Sequence, residues 1–354
     1  MLEKQNTKQI GKKILIAVFF LIIIAWVNIR INVDVESSAV METARGFTLI
    51  LWSVLLEALP FVMLGTVISS LIQEFVTEEM ILKVLPKSNV LRLIFSAMLG
   101  LVFPVCECAI IPITRGLMKK GMPTGPAIAF MIATPIINPI VLLSTYNAFP
   151  TMPQMVLYRG VIGFVGAILI GALVNSASRE KTLKEGVDIS CACGHDGHHH
   201  ACEHGDSDVH EKKSALKTFV SVLSHTSSEL KSVGMYLIFG AIISAAVQIL
   251  VPTDVLTSIG SGRVVSILVM MALAFVLSIC SEADAFIGST FMFQFSSASV
   301  LAFLVIGPMV DIKNTIMMLG AFKKKFVLRL IITIFVVCLL LVLAASYLMG
   351  GNYA

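Results

Sequence analysis

The 354-residue chain is 57% hydrophobic and 14% charged, with a formal net charge of +4. A soluble domain carries about 25% charged residues, so this composition excludes an ordinary soluble protein. The small net charge argues against nucleic acid as a partner. We predict an all-α polytopic membrane protein whose surroundings are the lipid bilayer.

The first apolar run covers residues 14–29 and follows four lysines. No small-x-small cleavage site comes after it, so we expect a retained membrane helix rather than a signal peptide. The positive-inside rule places the N-terminus in the cytoplasm. Residues 47–75 form the second predicted span, which returns to the cytoplasmic side.

The next apolar segment, 93–114, contains Pro104 and Pro112 and is followed by a basic cluster. If the segment crossed the bilayer, that cluster would lie outside, so we predict a re-entrant hairpin with its tip at 104–108. In an extended tip, Cys106 and Cys108 would point one way and Glu107 the other.

The remaining apolar runs follow in order. Residues 123–149 form a span interrupted by TPIINP, which contains Pro135 and Pro139. The next predicted spans are 156–174 and 233–251. A second hairpin enters at 264–279 and breaks at CSEADAF. The last two spans are 299–319, which is interrupted by GPMVDIKN with Pro308, and 330–348. The prediction totals about seven spans and two re-entrant hairpins.

The two halves of the chain resemble each other weakly. EALPFVMLGTVISSLI resembles ELKSVGMYLIFGAIISAAV, and an offset of 174 places Cys106 on Cys280. The loops flanking the first hairpin are basic and those flanking the second are nearly uncharged, which predicts opposite orientations. We therefore expect two inverted repeats, although all apolar helices share some resemblance. The predicted regions are a helix and external loop at 1–46, a first repeat at 47–175, a linker at 176–231 and a second repeat at 232–354.

Polar residues at the four interruptions VCEC, TPIINP, CSEAD and GPMVDIKN are expected to converge on one cavity, because broken backbone at membrane depth must be buried in protein or line a wet space. Thiols suit soft cations, and carboxylates bind hard cations or carry protons. The predicted substrate-binding residues are Cys106, Glu107, Cys108, Asn138, Cys280, Glu282, Asp284, Asp311, Lys313 and Asn314.

Simpler roles remain open for several of these residues. Glu282 and Asp284 would also fit a hairpin end in water, and Asp311 with Lys313 would fit a structural ion pair or a helix cap. Cys338 stands alone in an apolar run, and a lone cysteine usually serves packing.

The polar stretch 176–231 is the predicted cytoplasmic linker, and it contains CACGHDGHHHACEHGDSDVH. Six of the seven histidines lie within residues 195–210, so we predict a loose metal-binding tract, with zinc or a similar metal as its ion. The alternative is a polar linker with incidental histidines. No other cofactor is expected. The predicted ligands are Cys191, Cys193, His195, His198, His199, His200, Cys202, His204 and His210.

At VCECAIIPITRGLMKKGMPTGPAIAFMIATPIINP, CSEADAF and GPMVDIKN the chain resembles the predicted permease family of the YraQ and ArsP type, over about residues 47–348. The resemblance implies a multi-pass permease of the bacterial inner membrane. Some relatives export trivalent organoarsenicals, using cysteines for the arsenic. The family tip usually reads Cys-Ser-Cys-Gly, whereas this chain has Cys106-Glu107-Cys108-Ala109, and the added acid favours a cation.

Our leading hypothesis is a secondary permease for a divalent transition metal, zinc above all, or for a metal-related solute. The first alternative is efflux of organoarsenicals or another small thiophilic solute. The second is a non-transporting membrane partner or metal sensor. We find no phosphate loop and no nucleophile elbow, so we do not expect an enzyme, and an ATP-driven pump would need an accessory protein.

Overall fold

The computed structural model describes residues 38–103, 105–177, 183, 215–250 and 262–348. Residues Phe47–Ala354 form one compact unit. The helices in chain order are α1 Ser38–Phe75, α2 Glu78–Val84, α3 Asn89–Val102, α4 Glu107–Lys119, α5 Thr124–Ile137, α6 Pro139–Ala148, α7 Gln154–Ala177, α8 Ala215–Leu250, α9 Arg263–Leu277, α10 Asp284–Thr290, α11 Ser297–Met309, α12 Ile312–Ala321 and α13 Lys324–Leu348, with a 3₁₀ turn at Phe291–Phe293 between α10 and α11.

The long apolar runs form membrane-length helices, because a helix satisfies its own backbone groups where no water is available. Within the described residues, six segments are long and apolar enough to cross a membrane: Ala44–Phe75, Thr124–Ala148, Gln154–Ser176, Val222–Ile249, Ser297–Ala321 and Lys324–Tyr347. The all-α polytopic prediction is confirmed. The predicted span at 14–29 lies outside the described residues.

Two apolar helices are too short to cross. Helix α3 has 14 residues and α9 has 15. At about 1.5 Å per residue each covers roughly 21–23 Å, which is less than the roughly 30 Å of hydrocarbon. These helices are the first arms of the two predicted hairpins, and their lengths agree with that prediction.

The same succession of elements occurs twice along the chain. A long helix, a short apolar helix joined through a break to another helix, a broken helix and a second long helix appear as α1, α3–α4, α5–α6 and α7. They appear again as α8, α9–α10, α11–α12 and α13. This order agrees with a duplicated architecture. The inversion of one copy relative to the other stays a prediction.

The broken helices occupy the centre of the fold. Helices α5 and α11 are buried along almost their whole length. They contact each other, and α5 also packs against α3 and α7, while α11 packs against α9 and α13. Small residues permit the closest approach: a Cβ placed on Gly125 would lie 2.8 Å from the Gly171 carbonyl oxygen. Such contacts are typical of helices packed within a membrane.

The predicted proline breaks need correction. Pro112 lies inside α4, Pro135 inside α5 and Pro308 inside α11. A proline removes one backbone donor, and a packed membrane helix tolerates that loss when its neighbours satisfy the freed group. Pro139 begins α6, a position where its missing N–H costs nothing. Pro104 is outside the described residues.

The predicted linker 176–231 is also shorter than expected. Helix α8 begins at Ala215, so the last part of that stretch is helical and continuous with the following span. At the other end, Leu183 forms an isolated antiparallel bridge with Phe322, which follows α12. Similarly, α13 begins at Lys324 rather than at residue 330. The ends of a membrane helix that extend beyond the hydrocarbon are polar. Hydropathy alone therefore underestimates the length of the whole helix.

Candidate functional site

The first break lies between α3 and α4 and holds Cys106, Glu107 and Cys108, all at most 4% exposed. The chain is extended at Cys106, whose carbonyl oxygen accepts from the N–H groups of Ala109 and Ile110, and Glu107 begins α4. The predicted strand-like alternation over 106–108 is therefore wrong, because two of the three residues are helical. The Cys106 and Cys108 side chains are close enough to interact electrostatically.

The second break, between α5 and α6, consists of Asn138. Its side-chain oxygen accepts from the N–H of Ile140 at 3.0 Å, so the buried amide caps α6. An Asn at this position satisfies one of the backbone donors that every helix start leaves open. The contact explains why a polar residue stands within a span.

The breaks of the second half contact each other. Ser278 follows α9 with a positive φ of 47°, a conformation that residues other than glycine rarely adopt. Its hydroxyl oxygen accepts from the N–H of Ile312 at 3.2 Å. Asp311 caps the same helix, α12, by accepting from the N–H of Asn314. The break after α9 and the break before α12 are therefore joined, because a side chain from each accepts a hydrogen bond from the first turn of α12.

The two halves meet at an ion pair between Lys313 and Glu107. The Lys313 Nζ lies 3.3 Å from Glu107 Oε1 and 3.8 Å from Asp311 Oδ2. Beside this pair, Cys108 Sγ lies 4.0 Å from Asn314 Oδ1. We call Glu107, Cys108, Asp311, Lys313 and Asn314 the central cluster. All five side chains are buried.

A third cysteine, Cys280, lies in the break between α9 and α10 and is buried. Glu107 and Glu57 of α1 are both close enough to interact with it electrostatically. Glu57 also interacts electrostatically with Glu282. The prediction did not include Glu57. A carboxylate in the middle of an apolar run is the signal that would have found it.

Asp284 belongs to a separate ion pair with Arg159 of α7. The Arg159 Nη2 lies 2.7 Å from Asp284 Oδ2 and also donates to the Ser281 carbonyl oxygen, while Nη1 donates to Thr145 Oγ1. Arg159 is fully buried. The prediction missed it because an arginine near the start of an apolar run resembles an anchor at the membrane interface.

Several buried polar atoms have no hydrogen-bond partner in the described part of the chain. Buried polar groups are nearly always paired, so an unpaired one calls for an explanation such as a bound water, an ion or local strain. At the two ion-paired clusters these atoms are Glu107 Oε2, Asp311 Oδ2, Asp284 Oδ1, Arg159 Nε and Ser281 Oγ.

The structure thus brings together five of the ten predicted residues as the central cluster, with Cys106 and Cys280 beside it. Asn138 caps a helix and Asp284 pairs with Arg159. Among the described residues, no three His, Cys, Asp or Glu side chains are placed to hold a metal ion. The histidines and cysteines predicted as ligands at 191–210 lie outside the described residues.

The similarity of this chain to known proteins covers the same membrane region that the structure describes. Residues 43–347 match the model of the family ArsP_1, described as a predicted permease. The UPF0718 protein YcgR of Bacillus subtilis is 47% identical over 299 residues, covering 84% of this chain and 95% of that protein. A putative two-component membrane permease complex subunit of Streptococcus mutans is 43% identical over 279 residues, covering 79% of this chain and 88% of its own length.

A more distant relative is the UPF0718 protein YraQ of Escherichia coli, which is 28% identical over 117 residues, a third of each chain. No solved structure gives a significant match.

Proposed function

The chain belongs to the predicted permease family ArsP_1, and from that premise we propose that it is a secondary permease for a divalent transition metal, with zinc as the favoured cargo. The observation that carries the proposal is the central cluster. The break of the first half that carries Cys106, Glu107 and Cys108 meets the acid-bearing break of the second half, at Asp311, through a buried ion pair. Ionisable residues inside a membrane are costly and mark substrate or ion pathways.

The chemistry of the cluster supports a borderline or soft cation. Cys108 of the cluster and the neighbouring Cys106 offer sulfur, Glu107 and Asp311 offer carboxylate oxygen, and Asn314 offers an amide oxygen. No three of the acids and thiols form a preformed metal site in the described residues, so binding would require these side chains to move together. Zinc accepts this mixture of donors. Within the described residues, Glu107 and Asp311 each have a carboxylate oxygen that accepts no hydrogen bond, so a cargo cation would find acceptors there.

The transport mode we propose is alternating access between two inverted repeats. The duplicated succession of helices and the discontinuous helices α5–α6 and α11–α12 support it, because this plan recurs in secondary transporters. We assign no enzymatic step to the protein.

We place the protein in the bacterial inner membrane, with the N-terminus and the linker 176–231 on the cytoplasmic side, as the loop charges indicate. The linker ligands at 191–210 would bind metal there. The Streptococcus mutans relative is named as a subunit of a permease complex, which supports an accessory protein for this chain as well.

A second candidate function is transport of a thiophilic solute such as a trivalent organoarsenical. Lys313 already pairs with Glu107, whereas Cys106 and Cys108 are two positions apart in the chain and close enough to interact electrostatically. Two adjacent thiols suit a thiophilic centre that needs no carboxylate.

Flux in proteoliposomes separates these candidates. We would load vesicles with zinc, other divalent metals or methylated trivalent arsenic and compare the wild type with Cys106→Ser/Cys108→Ser and with a deletion of 191–210. Cys338→Ser is the matched control, since that thiol is buried against the Met309 sulfur, 3.3 Å away. Zinc flux lost only in the double variant supports the metal permease. Arsenical flux alone supports the second candidate. No flux of either overturns both and favours a sensor or a partner protein.

A further inference from the structure

Lys313 is held between two carboxylates that come from opposite halves of the chain. Its Nζ is 3.3 Å from Glu107 Oε1 on α4 and 3.8 Å from Asp311 Oδ2 at the start of α12, and its side chain is 4% exposed. A distance of 3.8 Å is too long for a hydrogen bond. The single ammonium therefore bonds one carboxylate well and the other poorly.

The two carboxylates keep acceptor capacity that no hydrogen bond uses among the described residues. Glu107 Oε2 and Asp311 Oδ2 are both buried and have no hydrogen-bond partner in the part of the chain that the structure describes. With both acids ionised and one ammonium present, the trio carries one net negative charge. A buried arrangement of this kind is poorly compensated. A divalent cation in place of the ammonium would neutralise both carboxylates.

The other groups that face Lys313 are few. Cys108 on α4 and Cys280 before α10 interact with it electrostatically, in addition to the two carboxylates. Helix α8 presents Gly240, whose missing side chain allows contact with the Lys313 backbone. The described neighbours of the ammonium are therefore acids, thiols and uncharged surface.

We propose that Lys313 occupies, in the cargo-free permease, the position that the cargo cation takes, so that cargo binds by displacing the ammonium from Glu107 and Asp311. This inference rests on the proposed function and assigns Lys313 the role of a specificity-determining residue. A monovalent cation would only replace the positive charge of the ammonium by another single charge, so the electrostatic energy of the site would change little. A divalent cation compensates both carboxylates and gains the additional Coulomb attraction.

The position of Lys313 in the chain suits such a displacement. It is the second residue of α12, directly after the break that ends at Asp311. A lysine ammonium is a point charge on a flexible four-carbon stem, so it can leave the carboxylates without unwinding a helix interior.

Zinc-dependent protection of the Cys108 thiol tests the proposal at the cluster itself. The full-length protein would be treated with a membrane-permeant maleimide at increasing zinc concentration, and alkylation of Cys108 would be measured by mass spectrometry. This readout excludes metal bound by the linker. Lys313→Met keeps an unbranched side chain, one atom shorter, without the charge. Lys313→Arg keeps the charge and adds a planar fork for carboxylates. Lys83→Met on the surface is the matched control, since Lys83 and its partner Glu79 are exposed.

We expect the protection midpoint of Lys313→Met to fall at least about tenfold in zinc concentration, since the competing charge is gone. The midpoint of Lys313→Arg should rise, and that of Lys83→Met should equal the wild type. Glu107→Gln/Lys313→Met should need more zinc than Lys313→Met, because one carboxylate is lost. Zinc should also raise the melting temperature of Lys313→Met more than that of the wild type.

An unchanged or higher midpoint in Lys313→Met overturns the displacement role. If Lys313→Met does not fold even with zinc, Lys313→Arg decides, since it retains the ion pair, and an unchanged midpoint there overturns the role. Failure of the proposed function looks different: the wild type itself would then show no protection of Cys108 by zinc.

Discussion

The Arg159 guanidinium of α7 is joined to the Asp284 carboxylate of α10 at 2.7 Å, with both side chains at most 3% exposed. The same guanidinium donates to Thr145 Oγ1 and to the Ser281 carbonyl oxygen. It therefore connects a membrane helix of the first half to the broken hairpin of the second. With the Lys313–Glu107 pair, each half contributes a cation to the acid at the other half's hairpin.

Replacing Arg159 with Met should lower the free energy of unfolding by about 3–5 kcal/mol, because Asp284 would be left as an uncompensated buried charge. Arg159→Lys should also destabilise, since one ammonium cannot reproduce the planar contacts of a guanidinium. Denaturant or thermal unfolding in detergent measures both. Arg159→Met/Asp284→Asn should be more stable than Arg159→Met, and equal loss in the two variants would contradict the ion-pair explanation.

Glu57 should be required for transport although it contributes little to stability. It lies within the span Ala44–Phe75, remains exposed on the surface of the chain and approaches Cys280. A carboxylate at that depth is expensive in lipid and indicates a wet pathway or a protein contact. We expect Glu57→Gln to reduce flux by about tenfold, equivalent to about 1.4 kcal/mol, with the melting temperature unchanged. Glu79→Gln, on the exposed surface of α2, is the control. Wild-type flux in Glu57→Gln would exclude this role.

Gly65 should be intolerant of any side chain. A Cβ there would lie 2.7 Å from the Ala109 carbonyl oxygen, which belongs to α4 and has limited freedom to move. We expect Gly65→Ala to destabilise by about 1–3 kcal/mol through overpacking. Gly234→Ala in α8, where nothing lies within 4 Å of the new Cβ, should instead stabilise by about 0.5–1 kcal/mol. Opposite signs in the two unfolding free energies are the expected result, and equal effects would be inconsistent with the close contact of α1 and α4.

Gly240 should influence Lys313 without touching either carboxylate. A Cβ at Gly240 would lie 3.1 Å from the Lys313 carbonyl oxygen and 3.3 Å from its Cα. Gly240→Ala should therefore shift α12 slightly and reduce zinc flux about threefold to tenfold, because small displacements of a functional group weaken its action. Gly234→Ala on the same helix is the matched control and should retain wild-type flux. Full flux in Gly240→Ala would show that the position of Lys313 tolerates such a shift.

Much of the fold can be predicted from the sequence, because whether a segment spans the membrane depends on the composition of that segment alone. A stretch of about 20 apolar residues must be a helix in hydrocarbon whatever its neighbours are. All six described spans overlap predicted ones, and the two short helices fall where hairpins were predicted. The errors concern backbone detail: Pro112 lies within α4, and Glu107 is helical rather than extended.

The sequence does not predict which charged residues of the site pair with each other. Polar residues at membrane depth identified Glu107, Asp284 and Lys313 individually, because charge is expensive in lipid wherever the chain leads. Lys313 and Glu107 are 206 positions apart, and Arg159 and Asp284 are 125 apart. Neither pairing can be deduced from hydropathy or spacing, since both depend on how α4, α7, α10 and α12 pack. The sequence alone determined which residues needed a partner; only the tertiary structure decided which partner each one found, because close packing across the two halves brings those charges together.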